Sequence, residues 1–230
     1  MSRTNTTKLG IGIALLVSFI IVLVIFFMPL FEGKNGLDYL DNLYNSISKG
    51  SAYYIPKVKH LVEDHGSEVV TLNLKMADGA TARAVEPLLA TTGVTTSIEA
   101  NNLMVNGDLA TIFHACLTDT DAAYHNRGEE LEQKYGAGAR ATLFGWWNVL
   151  GAMEKDLKRQ KLFKAADLTH TVQAKTVECA YNYYGIEPQN IKERWAIVLF
   201  SLVFYVIYTV WYGYAIMFIF EGLGFELAAH

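Results

Sequence analysis

The chain has 230 residues, a net charge of -4 and a hydrophobic fraction of 52%, with a mean hydropathy of +0.20. The acidic balance argues against a nucleic-acid partner: the nearest approach to a basic stripe, Lys155, Lys158, Arg159, Lys161 and Lys164, has the spacing of a solvated helix face. Two cysteines, Cys116 and Cys179, with no CxxC, give no support to thioredoxin-type redox chemistry, haem attachment or zinc ribbons, and leave open either a disulfide or two buried thiols.

Those averages conceal two populations of residues. The runs 9–31 and 195–220 contain no charged side chain, and each exceeds the roughly 20 residues that cross a hydrocarbon core of about 30 Å as a helix. The sequence therefore predicts two transmembrane helices, 9–31 and 195–220, with tails 1–8 and 221–230. The segment between them, 32–194, is about 160 residues and long enough for one domain with its own core.

Arg3 and Lys8 precede the first span, whereas Glu32, Asp38 and Asp41 outnumber Lys34 after it. Positive charge stays inside, so both tails are expected in the cytoplasm and the domain in an extracytoplasmic (periplasmic) position on the inner membrane. The second span has the opposite flanks, Lys192 and Arg194 on the domain side and Glu221 beyond; the first span usually sets orientation and is followed here. Its apolar stretch is too long for a signal-peptide core, and Pro29-Leu30-Phe31-Glu32 is a poor cleavage site, which makes it an uncleaved signal anchor.

Leu37, Leu40, Leu43, Tyr44 and Ile47 mark an amphipathic helix over 36–48, stopped by Gly50. Pro56 opens a second helix that ends at Gly66. In 68–77, Val70, Leu72, Leu74 and Met76 alternate with Thr71, Asn73 and Lys75, the period of a half-buried strand. Asp78-Gly79 turns the chain into a helix over 81–91, with Pro87 as an obstacle to its continuation. A strand over 94–99, a turn at Asn101-Asn102 and a strand over 103–105 form a hairpin, after which Asp108 caps a helix from Leu109. The order β-α-β-β-α is most of a split α/β unit of ferredoxin-like type, with the last strand missing or hidden; that likeness is one of element order and carries no function.

From Leu109 the pattern is helical up to Gly136 and Gly138. One long helix is expected over 139–166, then another capped by Asp167 and running to Tyr184, and a last one entering the second span after Pro188. The fold class is thus two transmembrane helices flanking one extracytoplasmic α+β domain, with no linker, repeat or low-complexity stretch.

Candidate chemistry is sparse. His60 and Glu63 are three apart, and His125 and Glu129 four apart, so each pair shares a helix face and offers two weak metal ligands. Neither has the Glu-x-x-His order of a di-iron bundle. His114 and Cys116, two apart, point to different sides of a helix. GxSxG, HExxH, P-loop and dinucleotide signatures are missing, and no catalytic or cofactor-binding residue is assigned.

The aromatic residues are more informative. Trp146 and Trp147, beside Phe144, cannot both face one core, so one must meet another surface. Tyr181, Tyr183 and Tyr184 precede the second span, and Tyr53 and Tyr54 follow the first. Within the second span, Tyr205, Tyr208 and Tyr212 fall on one face from its middle onward, where a phenol needs a polar partner, so this face is expected to pack on protein. Trp146, Trp147, Tyr205, Tyr208 and Tyr212 are therefore the expected partner interface.

The spans lack the charges that mark an ion or substrate path, and the sequence carries no cytoplasmic output module. The expectation is a non-catalytic accessory, scaffolding or assembly subunit of a larger bacterial membrane complex, bound to the membrane, to other membrane subunits or to its own copies. A tethered extracytoplasmic ligand- or metal-binding module is the alternative, and an enzyme of unfamiliar type the third reading.

Overall fold

The computed structural model describes residues 5–225; the expected tail residues 1–4 and 226–230, with Arg3 and His230, lie outside the described residues. The chain divides into two compact units, Met1–Ile47 with Pro188–His230, and Ser48–Glu187.

The first unit is built on α1 (Thr6–Phe27) and α10 (Ile191–Gly222), both long and apolar enough to cross a membrane. Asn5 caps α1 by accepting from the Lys8 N–H at 3.1 Å, and Asn190 caps α10 by accepting from the Lys192 N–H at 3.0 Å. α1 ends earlier than expected because Met28, extended at φ -74° and ψ 150°, precedes Pro29, whose ring disfavours helix in the residue before it. α10 begins at Ile191 and runs without a break into the expected span 195–220, as the helix expected after Pro188 does.

The two helices pack antiparallel. A Cβ on Gly12 would stand 2.7 Å from the Ile219 nitrogen and 3.0 Å from the Ala215 oxygen, so only glycine permits this approach. Phe19 stacks on Tyr208 with centroids 4.4 Å apart, and the Trp211 indole N–H donates to the Leu15 oxygen at 3.1 Å. Lys8 and Glu221 pair at 2.6 Å, so the acidic flank that conflicted with the orientation rule is neutralised by a basic residue at the same end. Glycine 12 gives a direct test. Gly12→Leu should separate the helices, and a disulfide engineered between positions 8 and 221 should then form at a fraction of its yield in the Gly12 background; equal yields would show that the close approach is dispensable.

Helix α2 is Gly36–Ser51, and the division between units falls after its Ile47. Its buried stripe is rotated from the expected one: Gly36, Leu43 and Ser46 are buried, whereas Leu37 and Tyr44 face out. Tyr44 reaches the Ser201 hydroxyl at 2.6 Å, which gives its phenol a polar partner.

The second unit is helix-rich around a small sheet. After α3 (Ile55–His65), β1 (Val69–Lys75), α4 (Gly79–Ala90), β2 (Thr95–Glu99), β3 (Asn102–Asp108) and α5 (Leu109–Tyr124) follow in the expected order. The strands form one antiparallel sheet in the order β1-β3-β2. Val70, Leu72 and Leu74 face the core, as their alternation predicts. The Glu99↔Asn102 pairing moves the hairpin turn one residue back, to Ala100-Asn101. Pro87 stays inside α4 rather than ending it: it lies on the exposed face, where water can serve the carbonyl its missing N–H leaves free. No fourth strand lies beside β1 among the described residues. Instead Asp156 accepts from the Asn73 N–H at 2.9 Å and Gln160 donates to the Thr71 oxygen at 2.8 Å, so two side chains cap that edge.

The helical half breaks where the sequence reading had continued it. α5 ends at Tyr124 and α6 (Gly128–Tyr135) begins after Asn126, which sits in the left-handed region at φ 60°. The expected helix 139–166 is two, α7 (Ala139–Arg159) and α8 (Phe163–Val172), separated by Lys161 at φ 65°. Asp167 lies within α8 instead of capping it. A π-helical turn, Gln173–Val177, then leads into α9 (Glu178–Tyr183).

Asp119 ties three of these helices together. Its buried carboxylate accepts from the Trp146 indole at 2.9 Å, the Tyr135 hydroxyl at 2.6 Å and the Lys134 ammonium at 2.8 Å. Each donor comes from a different direction, so the group is well satisfied in a site with little water. Removing it would strand the buried Trp146 indole and cost Tyr135 and Lys134 their shared acceptor. Asp119→Ala is expected to destabilise the fold by about 3–5 kcal/mol, read from the urea midpoint followed by tryptophan fluorescence; a change near zero would show that the network closes without it.

Candidate functional site

The second unit begins with a buried lysine. The Lys49 ammonium donates to the Ile186 oxygen at 2.6 Å, the Tyr183 oxygen at 3.2 Å and the Asn126 Oδ1 at 3.2 Å, and lies 5.2 Å from the Tyr124 ring centre. Tyr124 donates its hydroxyl to the Lys49 carbonyl oxygen. Asn126 also donates to the Glu187 carboxylate at 2.7 Å and accepts from the Gly185 N–H at 2.8 Å. Burial lowers the lysine's pKa, and the Glu187 charge opposes that shift. Every group here is engaged inside the protein, so this cluster holds the unit's two ends rather than a ligand.

The two adjacent tryptophans divide as the helix geometry requires. Trp146 is 0% exposed and fills the core, so its place in the expected partner interface is corrected: a side chain without surface cannot meet a partner. Trp147 is 41% exposed and stacks on Phe144 with centroids 6.0 Å apart and planes 8° from parallel. Phe144 and Trp147 line a groove of about 280 Å³ with Leu143, Val177, Glu178 and Tyr181. The π-helical turn places Glu178 where it accepts from the Trp147 indole at 2.9 Å, while the Gln173 amide takes the Trp147 backbone oxygen at 2.8 Å. Tyr181 carries the Arg140 guanidinium over its ring at 5.5 Å. Two aromatic groups that lie far apart in sequence thus meet on one surface. An indole held at its edge by a hydrogen bond and stacked on a neighbouring ring loses little entropy on binding, and such surfaces favour apolar and aromatic partners.

The tyrosines of α10 separate as well. Tyr208 and Tyr212 both pack on Phe19, at 4.4 Å and 5.2 Å. Tyr205 is 67% exposed, so the three do not share one packed face; the lean of each ring along the helix carries Tyr205 outward.

The metal candidates do not converge. His60 meets Glu63 at 3.2 Å on an exposed turn of α3, and His125 turns to Asp121 rather than to Glu129, its Nδ1 3.4 Å from the Asp121 carboxylate. Among the described residues no group of three or more His, Cys, Asp and Glu is placed to hold a metal. Both cysteines are free. Burial raises the Cys116 thiol's pKa, and Cys179 donates to the Ala52 oxygen at 3.2 Å.

A second cleft, of about 570 Å³, has Tyr53, His114, Asp121, Arg127 and Glu130 among its walls. Tyr53 donates to Asp121 at 2.5 Å and Arg127 pairs with the same carboxylate at 3.1 Å. These residues come from separate stretches of the sequence, Tyr53 before α3, His114 and Asp121 on α5 and Arg127 and Glu130 at α6, and no motif joins them.

Comparison with protein-family models, with curated protein sequences and with solved structures found no match to this chain.

The Tyr53 contact sets a pH response. Burial, and then the hydrogen bond to Asp121, push the Tyr53 pKa from 10.0 up to about 12. A phenol whose pKa is higher when folded binds its proton more tightly in the native state, so its contribution is complete below pH 10 and is lost as pH rises through about 12. Urea midpoints of the detergent-solubilised chain should fall across that window, and less steeply in Tyr53→Phe; identical slopes would remove Tyr53 from the account.

Proposed function

We propose that this chain is a membrane-anchored, non-catalytic accessory or scaffolding subunit of a larger membrane complex. In this reading α1 and α10 cross the inner membrane, with the second unit on its extracytoplasmic side. Their length and apolar composition support the anchoring role, since each covers a hydrocarbon core of about 30 Å. The observation that carries the scaffolding role is the exposed, edge-bonded Phe144–Trp147 stack beside Tyr181, an aromatic surface on a unit whose core is otherwise closed. The outward phenol of Tyr205 on α10 suits a contact with a neighbouring subunit's helix, because hydrocarbon offers it no hydrogen bond.

The test is purification from native membranes in mild detergent, with mass spectrometry of the co-purifying subunits, for the native chain and for Trp147→Ala. The native chain should resist alkaline extraction and bring a stoichiometric set of membrane subunits. Loss of one aromatic anchor worth about 2 kcal/mol should reduce their recovery at limiting concentration roughly thirty-fold. A chain that is extracted without detergent overturns the anchoring. One that is retained but arrives alone, or with partners indifferent to Trp147, overturns the scaffolding role.

A further inference from the structure

Trp147 also borders another cleft in the second unit, of about 450 Å³, bounded by the end of β1, the first turn of α4, the β2–β3 turn and α7. Its polar walls are Lys75, Thr81, Asn101, Asn148 and Lys155, with Trp147 at one side. Glu178 lines the aromatic groove, and Asp121 and Glu130 line the Tyr53 cleft, but no carboxylate lines this one. Neither Lys75 nor Lys155 is ion-paired among the described residues, although Lys134, Lys158 and Arg159 nearby in sequence all are.

Hydrogen-bonding capacity is left over as well. The Asn148 amide gives one proton to the Phe144 oxygen at 3.0 Å, and the Asn101 amide gives one to the Met76 oxygen at 3.2 Å. Each NH₂ has a second proton to offer. Gly151 and Ala152 complete the α7 wall without bulk. Asp78, the cap of α4, is turned to the Thr81 N–H at 2.7 Å. Lys75 and Lys155 line one concavity with no carboxylate among its lining residues, and two unpaired lysines so placed attract an anion.

We infer that this cleft binds the phosphate group of a small anionic molecule, held by Lys75 and Lys155 with amide protons from Asn101 and Asn148, and with the Trp147 ring available to a planar portion of the ligand. The inference does not rest on the scaffolding role: the two share Trp147, but this one is carried by Lys75 and Lys155, which the aromatic groove lacks. A free phosphate ester and a lipid phosphate share this chemistry, and the assay separates them.

The experiment uses the full chain in two settings: detergent micelles titrated with inorganic pyrophosphate, and nanodiscs of phosphatidylcholine with and without phosphatidic acid. Binding is read by calorimetry and by the protection of individual lysines from acetylation. Saturable pyrophosphate binding that protects Lys75 and Lys155, but not Lys164, is expected, weakening with added salt. Each of Lys75→Gln and Lys155→Gln should weaken it roughly ten-fold, as loss of one charge-assisted hydrogen bond does. Protection that appears only with phosphatidic acid assigns the site to a lipid phosphate. The inference is overturned when neither anion protects the two lysines, a readout that requires no variant to fold, or when both variants bind as the native chain does.

Discussion

An ammonium group taken out of water has to be surrounded by acceptors, and Lys49 meets that demand with oxygens from Asn126, Tyr183 and Ile186. Those acceptors lie at the α5–α6 break and at the far end of the second unit, so one charge fixes where the unit starts, where it bends and where it ends. The surrounding elements conform to it. α5 stops at Tyr124, whose hydroxyl is needed by the Lys49 carbonyl oxygen. Asn126 takes the left-handed conformation that aims its amide at the same point. α9, which with the π-helical turn forms one wall of the aromatic groove, ends at Tyr183, one of these acceptors.

Asp119 plays the matching role in the interior. By collecting donors from α6 and α7 onto α5 it orients Trp146 inward, and the helical period then turns Trp147 outward. A buried carboxylate on α5 thereby decides which face of α7 is left exposed. Trp147 in turn stands between two differently lined concavities, one aromatic and one cationic.

Much of this was legible in the residues. The charge-free runs mark α1 and α10, and the period-two alternation of Val70, Leu72 and Leu74 marks β1. Asp78 and Asp108 stand at the helix starts they cap. What was not legible follows from interactions across long stretches of sequence. The break at Lys161 has no glycine or proline to announce it, and a lysine at φ 65° is tolerated only because the packing around it demands a turn. The capping of β1 by Asp156 and Gln160 involves side chains more than eighty residues away, so an open strand edge could not be foreseen as closed. Among the candidate site residues, Trp147 keeps its exposed place, while Trp146 loses it to Asp119 and Tyr205 parts from Tyr208 and Tyr212.

The bonds between Lys49 and Ile186 also bear on how such a chain can be rearranged. A unit whose first and last turns are joined through side chains holds its ends side by side without help from the covalent chain beyond them. It can be carried as an insert between any two helices, or entered and left at a different loop, such as the one around Gly136 and Gly138, with its core contacts kept. The closure of the folded unit, in that sense, belongs to the unit itself.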